Sequence, residues 1–237
     1  MQCAILLGGL GTRIRKISGD LPKALIPING RPFLAYQLDL LSQRGVNQVV
    51  LLAGYRGDLI CEFLKQYRNP KLHIEMVDEG KQLLGTGGAV RNAAEMGLLE
   101  NHFLVTYGDS YLPVNYVDLE KEFLQQKKPA VMAIYKNENQ FDKSNVKING
   151  DHLVYDKHYQ LDKAENYPYI DYGVSAIDRQ DLMNRIPTGE AFDLAVYFGE
   201  LSKMGLLGGH IVTQRFYEIG SIDGYNNFVQ YLQEPHI

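Results

Sequence analysis

The residues best suited to chemistry stand near the start of the chain. A short apolar run, Cys3 to Leu7, meets a glycine cluster at Gly8, Gly9 and Gly11, followed by Thr12 and Arg13 and, further on, Lys23. The run reads as a buried parallel strand and the glycines break it into a turn. Glycine permits positive φ and lets a ligand approach the backbone, and successive N–H groups in such a turn form a concave anion site. Arg13 and Lys23 add fixed positive charge beside it. This set suits the phosphates of a nucleoside triphosphate. A second candidate follows another buried run, Phe103 to Tyr107, which ends in Gly108-Asp109-Ser110. Open α/β sheets bind ligands at the carboxyl ends of their strands, and an Asp there can reach a metal ion carried on phosphates.

Other phosphate loops and chemistries fail on the string. A dinucleotide fingerprint counted from Gly9 requires a third glycine where Ile14 stands, and no Gly-x-x-x-x-Gly-Lys-Ser/Thr occurs. Gly173-Val174-Ser175-Ala176-Ile177 lacks the final glycine of a nucleophile elbow. The six His residues include no His-x-x-x-His pair. Cys3 and Cys61 belong to no Cys-x-x-Cys or metal-ligand spacing and are expected as reduced, buried thiols.

The elements that must position these residues alternate. After Asn29-Gly30 and Pro32, Leu34, Leu38 and Leu41 fall on one face of a helix ending near Gly45. Strands are expected at Gln48–Ala53 and Leu72–Val77, with a helix between them at Asp58–Tyr67. This β-α-β-α-β order predicts an α/β fold, a parallel sheet wrapped by helices. Leu84-Gly85-Thr86-Gly87-Gly88-Ala89 opens a further helix reaching about Met96, either as a close-approach segment for a ligand or as a plain helix start capped by Thr86. A helix at Tyr116–Gln126 and a strand at Ala130–Tyr135 follow, then runs at Val146–Ile148 and Leu153–Tyr155 that flank Asn149-Gly150, a hairpin signal. Tyr169–Ile177 and Gly208–Thr213 read as strands, Asp193–Met204 as a helix, and a last helix reaches about Gln233. No linker, repeat or charge block divides the chain, which predicts one domain over residues 1–237.

Gly8-Gly9-Leu10-Gly11-Thr12-Arg13, followed by Leu21-Pro22-Lys23, resembles the signature of the sugar-1-phosphate nucleotidyltransferases, and matching segments extend over nearly the whole chain. The look is closest to single-domain heptose or mannose 1-phosphate guanylyltransferases. The resemblance implies a Rossmann-like, mixed but mainly parallel sheet of the nucleotide-diphospho-sugar transferase type, with a small β-hairpin insertion that binds sugar. It implies that Leu7, Gly8, Gly9, Gly11, Thr12 and Arg13 hold the nucleotide, helped by Lys23, Gln82, Gly85, Thr86 and Gly108. Arg13, Lys23 and Asp109 become the catalytic residues, and Asp109 and Glu218 the ligands of Mg²⁺. Glu218 stands where the family has Asp, one methylene shorter, and Asp223 is the fallback ligand. Asp156-Lys157, where the family has Glu-Lys-Pro, and Asp171 and Gly173, where it has Asn-Ala-Gly, are the implied sugar-phosphate contacts.

The implied reaction is attack by a sugar 1-phosphate oxygen on the α-phosphorus of a nucleoside triphosphate, with pyrophosphate leaving in line. The nucleophile is already an anion, so no activated side chain or general base is required, and catalysis reduces to positioning and charge neutralisation. GTP with heptose or mannose 1-phosphate is the expected pair, and UTP, CTP or dTTP with glucose 1-phosphate the alternative. Two other classes compete. A metal-dependent glycosyltransferase typically has Asp-x-Asp where Asp109-Ser110-Tyr111 stands, and a nucleotide-sensing domain would bind without turnover.

With 237 residues, 45% hydrophobic and 22% charged, the chain has the composition of a soluble globular protein large enough for a proper core. Its net charge of −4 shows no footprint for nucleic acid. No apolar run is long enough for a membrane span or, at the N-terminus, a signal peptide. The expected setting is the cytoplasm, with NTP and sugar 1-phosphate as partners, no nucleic acid, no membrane, and room for a homo-oligomer.

Overall fold

The computed structural model describes residues 1–9, 14–80, 83–159 and 166–234. Strand β1 (Gln2–Leu6) leads to the short helix α1 (Arg15–Ser18), a 3-10 turn at Lys23–Leu25, and a two-residue ribbon of β2 (Pro27–Ile28) and β3 (Arg31–Pro32). Then come α2 (Phe33–Gln43), β4 (Gln48–Ala53), α3 (Gly57–Gln66), β5 (His73–Asp78), α4 (Gly85–Glu95), β6 (His102–Tyr107) and β7 (Ser110–Tyr111). The second half runs α5 (Tyr116–Gln126), β8 (Ala130–Lys136), β9 (Val146–Asn149), β10 (His152–Tyr155), β11 (Tyr169–Asp178) and α6 (Arg179–Arg185). It closes with α7 (Leu194–Lys203), β12 (Leu207–Val212), β13 (Tyr217–Glu218) and α8 (Ile222–Tyr231).

Among the described residues the main sheet has nine strands. β5, β4, β1 and β6 lie side by side and parallel. β11 joins β6 antiparallel, β8 joins β11 antiparallel, and β12 runs parallel to β8. The β9–β10 hairpin is attached through Val146 opposite Tyr169. The expected mixed, mainly parallel sheet with a hairpin at its margin is therefore what forms. The chain places β4 and β5 on one side of β1 and then crosses to place β6 on the other. Such a reversal leaves a crevice above the carboxyl ends of the central strands.

β1 is buried on both faces, as a central parallel strand must be. Its alternate residues serve two cores: Cys3 and Ile5 pack with Leu34, Leu38 and Leu41 of α2, whereas Ala4 and Leu6 pack with Val90 and Ala93 of α4. A third, smaller cluster joins distant segments, with Ile14, Ile26, Ile28 and Phe33 against Ile219 and Phe228.

Three local expectations are corrected. Asn149 pairs with His152 inside the hairpin, so the turn residues are Gly150 and Asp151, one position later than Asn149-Gly150; Gly150 takes φ of 59°. Cys61 is exposed on α3, while Cys3 is buried as expected. Thr86 does not cap its own helix: Leu84 occupies the cap position of α4 and makes no side-chain cap bond. Among the described residues no helix is long and apolar enough to cross a membrane.

Candidate active site

The crevice holds two adjoining hollows. The first, about 240 Å³, lies over the ends of β1, β4 and β6 and is lined by Leu6 to Gly9, Leu52, Tyr107 to Asp109, Gly85 and Thr86 of α4, Lys23, Glu79 and Leu83. The second, about 920 Å³, opens toward β11 and the hairpin and includes Lys157, Asp171, Gly173, Asp193, Phe216 and Glu218. Gly85, Thr86, Tyr107 and Asp109 line both, so the hollows meet there.

Asp109 is fixed from four directions. Gly108 N–H donates to Leu6 O at 2.9 Å, and Ile219 N–H donates to Asp109 O at 2.9 Å. The buried Gln37 side chain of α2 donates to Tyr107 O at 2.8 Å and Ser110 O at 2.9 Å, pinning both ends of the turn. Lys23, presented by the 3-10 turn, places its ammonium 2.8 Å from Asp109 Oδ2, with the side chains only 17% and 28% exposed. That shielding makes the pair stronger than a solvated surface bridge.

Glu218 reaches the same place across β7 and β13, which pair antiparallel with Glu218 opposite Ser110. A Cβ built on Gly220 would lie 2.7 Å from Glu218 Oε2, 3.3 Å from Lys23 Nζ and 3.4 Å from Asp109 Oδ2, so the three charged groups converge on one point. The Glu218 carboxylate accepts from Gly220 N–H, and from the Ser221 hydroxyl at 2.6 Å. Ser221 in turn accepts Gly224 N–H at 2.9 Å as the cap of α8. Asp223 stands exposed in the first turn of α8 and lines neither hollow.

Two carboxylates supply hard oxygen donors of the kind a divalent cation takes. Among the described residues no group of three or more His, Cys, Asp or Glu gathers. This sparse set fits Mg²⁺, which keeps several waters and binds through one or two carboxylates plus substrate phosphate.

Beside the larger hollow, β11 shifts register between Asp171 and Ser175, with Gly173 at φ of 97°. The irregularity turns the Asp171 carboxylate back to accept Gly173 N–H at 2.9 Å. Burial pushes the Asp171 carboxyl up to about 6, and the Gly173 bond opposes that shift. Lys157 forms an ion pair with Asp193, whose carboxylate also accepts from Ala195 N–H at 3.0 Å and from the Thr86 hydroxyl at 3.2 Å. Burial works to raise the Asp193 carboxyl, but these three donors hold it below the usual range. Thr86 Oγ1 also receives Leu194 N–H at 2.8 Å, so it caps the neighbouring α7. Asp156 lines neither hollow; its carboxylate accepts His158 N–H at 2.9 Å within its own turn.

The expected nucleotide residues Leu7, Gly8, Gly9, Lys23, Gly85, Thr86 and Gly108 thus gather round one hollow, and Lys157, Asp171, Gly173 and Glu218 round the other. Gly11, Thr12, Arg13 and Gln82 lie outside the described residues. The glycines of α4 have an unexpected task. Gly87 and Gly88 N–H groups donate to Phe192 O, and a Cβ on Gly85 would sit 2.7 Å from that same oxygen. The close approach they allow is that of the chain's own loop before α7. Sequence reasoning missed Gln37, Glu79 and Asp193. Asp193 looked like an ordinary helix start, and no local pattern marks the other two.

The chain belongs to the MobA-like NTP transferase domain family, which it matches over residues 3–183, and is a nucleotidyltransferase. It is 29% identical over 231 residues to the D-glycero-alpha-D-manno-heptose 1-phosphate guanylyltransferase of Campylobacter jejuni, covering 97% of this chain and 99% of that one. A protein of the same name from Aneurinibacillus thermoaerophilus is 36% identical over 124 residues, 52% of this chain and 51% of that one. In fold the chain is similar to HddC from Yersinia pseudotuberculosis, with a TM-score of 0.81 at 24% identity over 98% of this chain and 99% of that one. HddC complexed with GMP-PN gives a TM-score of 0.79 at 23% identity, over the same share of each chain.

Proposed function

We propose that this protein is a Mg²⁺-dependent, cytoplasmic sugar-1-phosphate nucleotidyltransferase acting as one domain, with GTP and a heptose or mannose 1-phosphate as its substrates. The observation that carries the reading is the meeting of two hollows at Asp109, with Lys23 entering from one side and Glu218 from the other. A nucleotide in the smaller hollow puts its α-phosphate where a sugar phosphate in the larger one can reach it. The near-complete overlap with the Campylobacter jejuni guanylyltransferase supports the choice of substrates.

On this reading the backbone at Gly8, Gly9, Gly11 and Thr12 cradles the triphosphate, with Arg13 on the leaving pyrophosphate. Lys23 holds the phosphates of both substrates together. Asp109 and Glu218 hold Mg²⁺, which when bound offsets the charge on the reacting phosphates. Lys157 leaves Asp193 to take the sugar phosphate, and Asp171 accepts from sugar hydroxyls. Asp156 serves through the turn that presents Lys157.

The test is a matrix of GTP, UTP, CTP, dTTP and ATP against heptose, mannose and glucose 1-phosphates, read by pyrophosphate release with and without Mg²⁺. Release above background with GTP and a heptose or mannose 1-phosphate is expected. Tight nucleotide binding with no release from any pair would instead identify a nucleotide sensor.

A further inference from the structure

The smaller hollow contains a carboxylate that the transfer chemistry does not use. Glu79 follows β5 directly, and its N–H donates to Ala53 O at 2.9 Å, which anchors it at the top of the sheet. Glu79 Oε2 accepts Leu84 N–H at 3.3 Å. Glu79 Oε1 is shut off from solvent and accepts no hydrogen bond. No cation among the described residues pairs with it. A Cβ built on Gly54 would lie 3.6 Å from Glu79 Oε2, 3.2 Å from Gly8 Cα and 2.8 Å from Leu83 Cδ2. The carboxylate therefore stands beside the first glycine of the phosphate turn, under an apolar side chain. Burial raises the Glu79 carboxyl above the usual range, with Leu84 N–H opposing.

A buried carboxylate oxygen without a donor is expensive unless a ligand supplies one. An ionised carboxylate only accepts. The bases differ in what they offer it. Guanine presents N1–H and N2–H₂ side by side. Adenine and cytosine each set one amino group beside a ring-nitrogen acceptor, and uracil and thymine flank their single N–H with two carbonyls. Guanine alone offers two adjacent donors without bringing an acceptor against the carboxylate.

We propose that Glu79 is the residue that selects guanine, accepting hydrogen bonds from the base edge inside the hollow formed by Leu6, Leu52, Leu83 and Ala89. This rests on the reading of that hollow as a nucleotide site. It deepens that reading by assigning base choice to one side chain.

The test is calorimetric binding of GTP and ITP, with Mg²⁺, to the full chain and to its Glu79→Gln and Glu79→Ala variants. ITP lacks only the 2-amino group. The wild type is expected to bind GTP about ten- to a hundredfold more tightly than ITP, the usual worth of a hydrogen bond to a charged group. Glu79→Gln keeps the shape and an acceptor for Leu84, and should weaken GTP about tenfold or more while leaving UTP within about threefold. Glu79→Ala should bring the GTP-to-ITP ratio close to one. Equal binding of GTP and ITP by the wild type, a preserved ratio in a folded Glu79→Ala protein, or no binding of GTP at millimolar concentration each overturns the assignment. The transferase reading fails separately. Guanine selectivity without pyrophosphate release removes the reaction but keeps Glu79, whereas release from another triphosphate with GTP ignored removes Glu79 and keeps the reaction.

Discussion

Lys23 and Asp109 form a partly shielded ion pair at the junction of both hollows, and each neutralises the other. Removing either leaves an uncompensated charge where, on the proposed reading, two polyanions meet. Lys23→Ala and Asp109→Ala are each expected to lower kcat on the order of 10²–10³-fold, and near-normal turnover in a pyrophosphate-release assay would refute the role given to that residue. Asp171 makes a different prediction. Its carboxyl is raised from 3.8 to about 6 by burial, so between those values the native protein holds a proton that the unfolded chain has released. Stability from this residue therefore falls as pH rises through that window and is level above it. Asp171→Asn removes the fall. Urea titrations should show the variant gaining on the order of 3 kcal/mol relative to wild type between the acid and neutral ends of the window, and parallel curves would show that Asp171 ionises as freely in the fold as outside it.

At the scale of elements, the most consequential feature is the ribbon of β7 and β13, two residues from each strand. It is far too short to be stable alone, and α8 supports it from behind. Gly224 in α8 packs directly on Glu218: a Cβ there would lie 2.1 Å from Oε1 and 2.4 Å from the backbone oxygen. Replacing a helical Gly by Ala ordinarily stabilises by about 1 kcal/mol. Here the sign should reverse, because the methyl group must displace Glu218 from its present position. Gly224→Ala is expected to lower the melting temperature and to raise the Mg²⁺ concentration giving half-maximal pyrophosphate release. An unchanged magnesium requirement would mean that Glu218 is not a metal ligand. The start of α4 and the start of α7 form a second coupled pair, locked by Thr86, Asp193 and the Phe192 carbonyl. Through it the two hollows share one anchor.

Across the whole molecule, the candidate site is assembled from the ends of β1 and β6, the turn that carries Lys23, and β13, which α8 supports. The small aromatic core around Phe228 makes this possible. Phe228 packs edge-on against Phe33 at 5.2 Å and lies 4.8 Å from Tyr111, ring centroid to centroid, so it ties α8 to α2 and to β7. Phe228→Ala should cost about 3–5 kcal/mol, the usual range for a buried aromatic truncated to a cavity. It should also weaken catalysis in the fraction that stays folded. Denaturation and kcat measured on the same preparation would check both, and a loss of stability with full kcat would show that the cluster does not hold the site.

Much of this was legible beforehand, wherever the signal is local. The apolar spacing of Leu34, Leu38 and Leu41 marks the buried face of α2, and all three are fully buried. The run from Gln48 to Ala53 is β4 residue for residue. The glycine turn after β1 and Asp109 after β6 announce phosphate chemistry because strand ends in a parallel sheet face the ligand. Two-residue strands carry no periodicity, so β7 and β13 left no trace, and only its match to the family pattern singled out Glu218 over Asp223 as the partner of Asp109. The hairpin turn slipped by one residue because Gly150, not Asn149, takes the first turn position. Gln37, Asp193 and Glu79 were silent because a polar side chain acquires a role only from what surrounds it. The sequence by itself determined the sheet, its helices and the kind of reaction, since backbone periodicity and glycine placement act over a few residues. Tertiary structure alone decided which charges meet, because packing of α8 and the crossover to β6 bring together atoms more than a hundred positions apart.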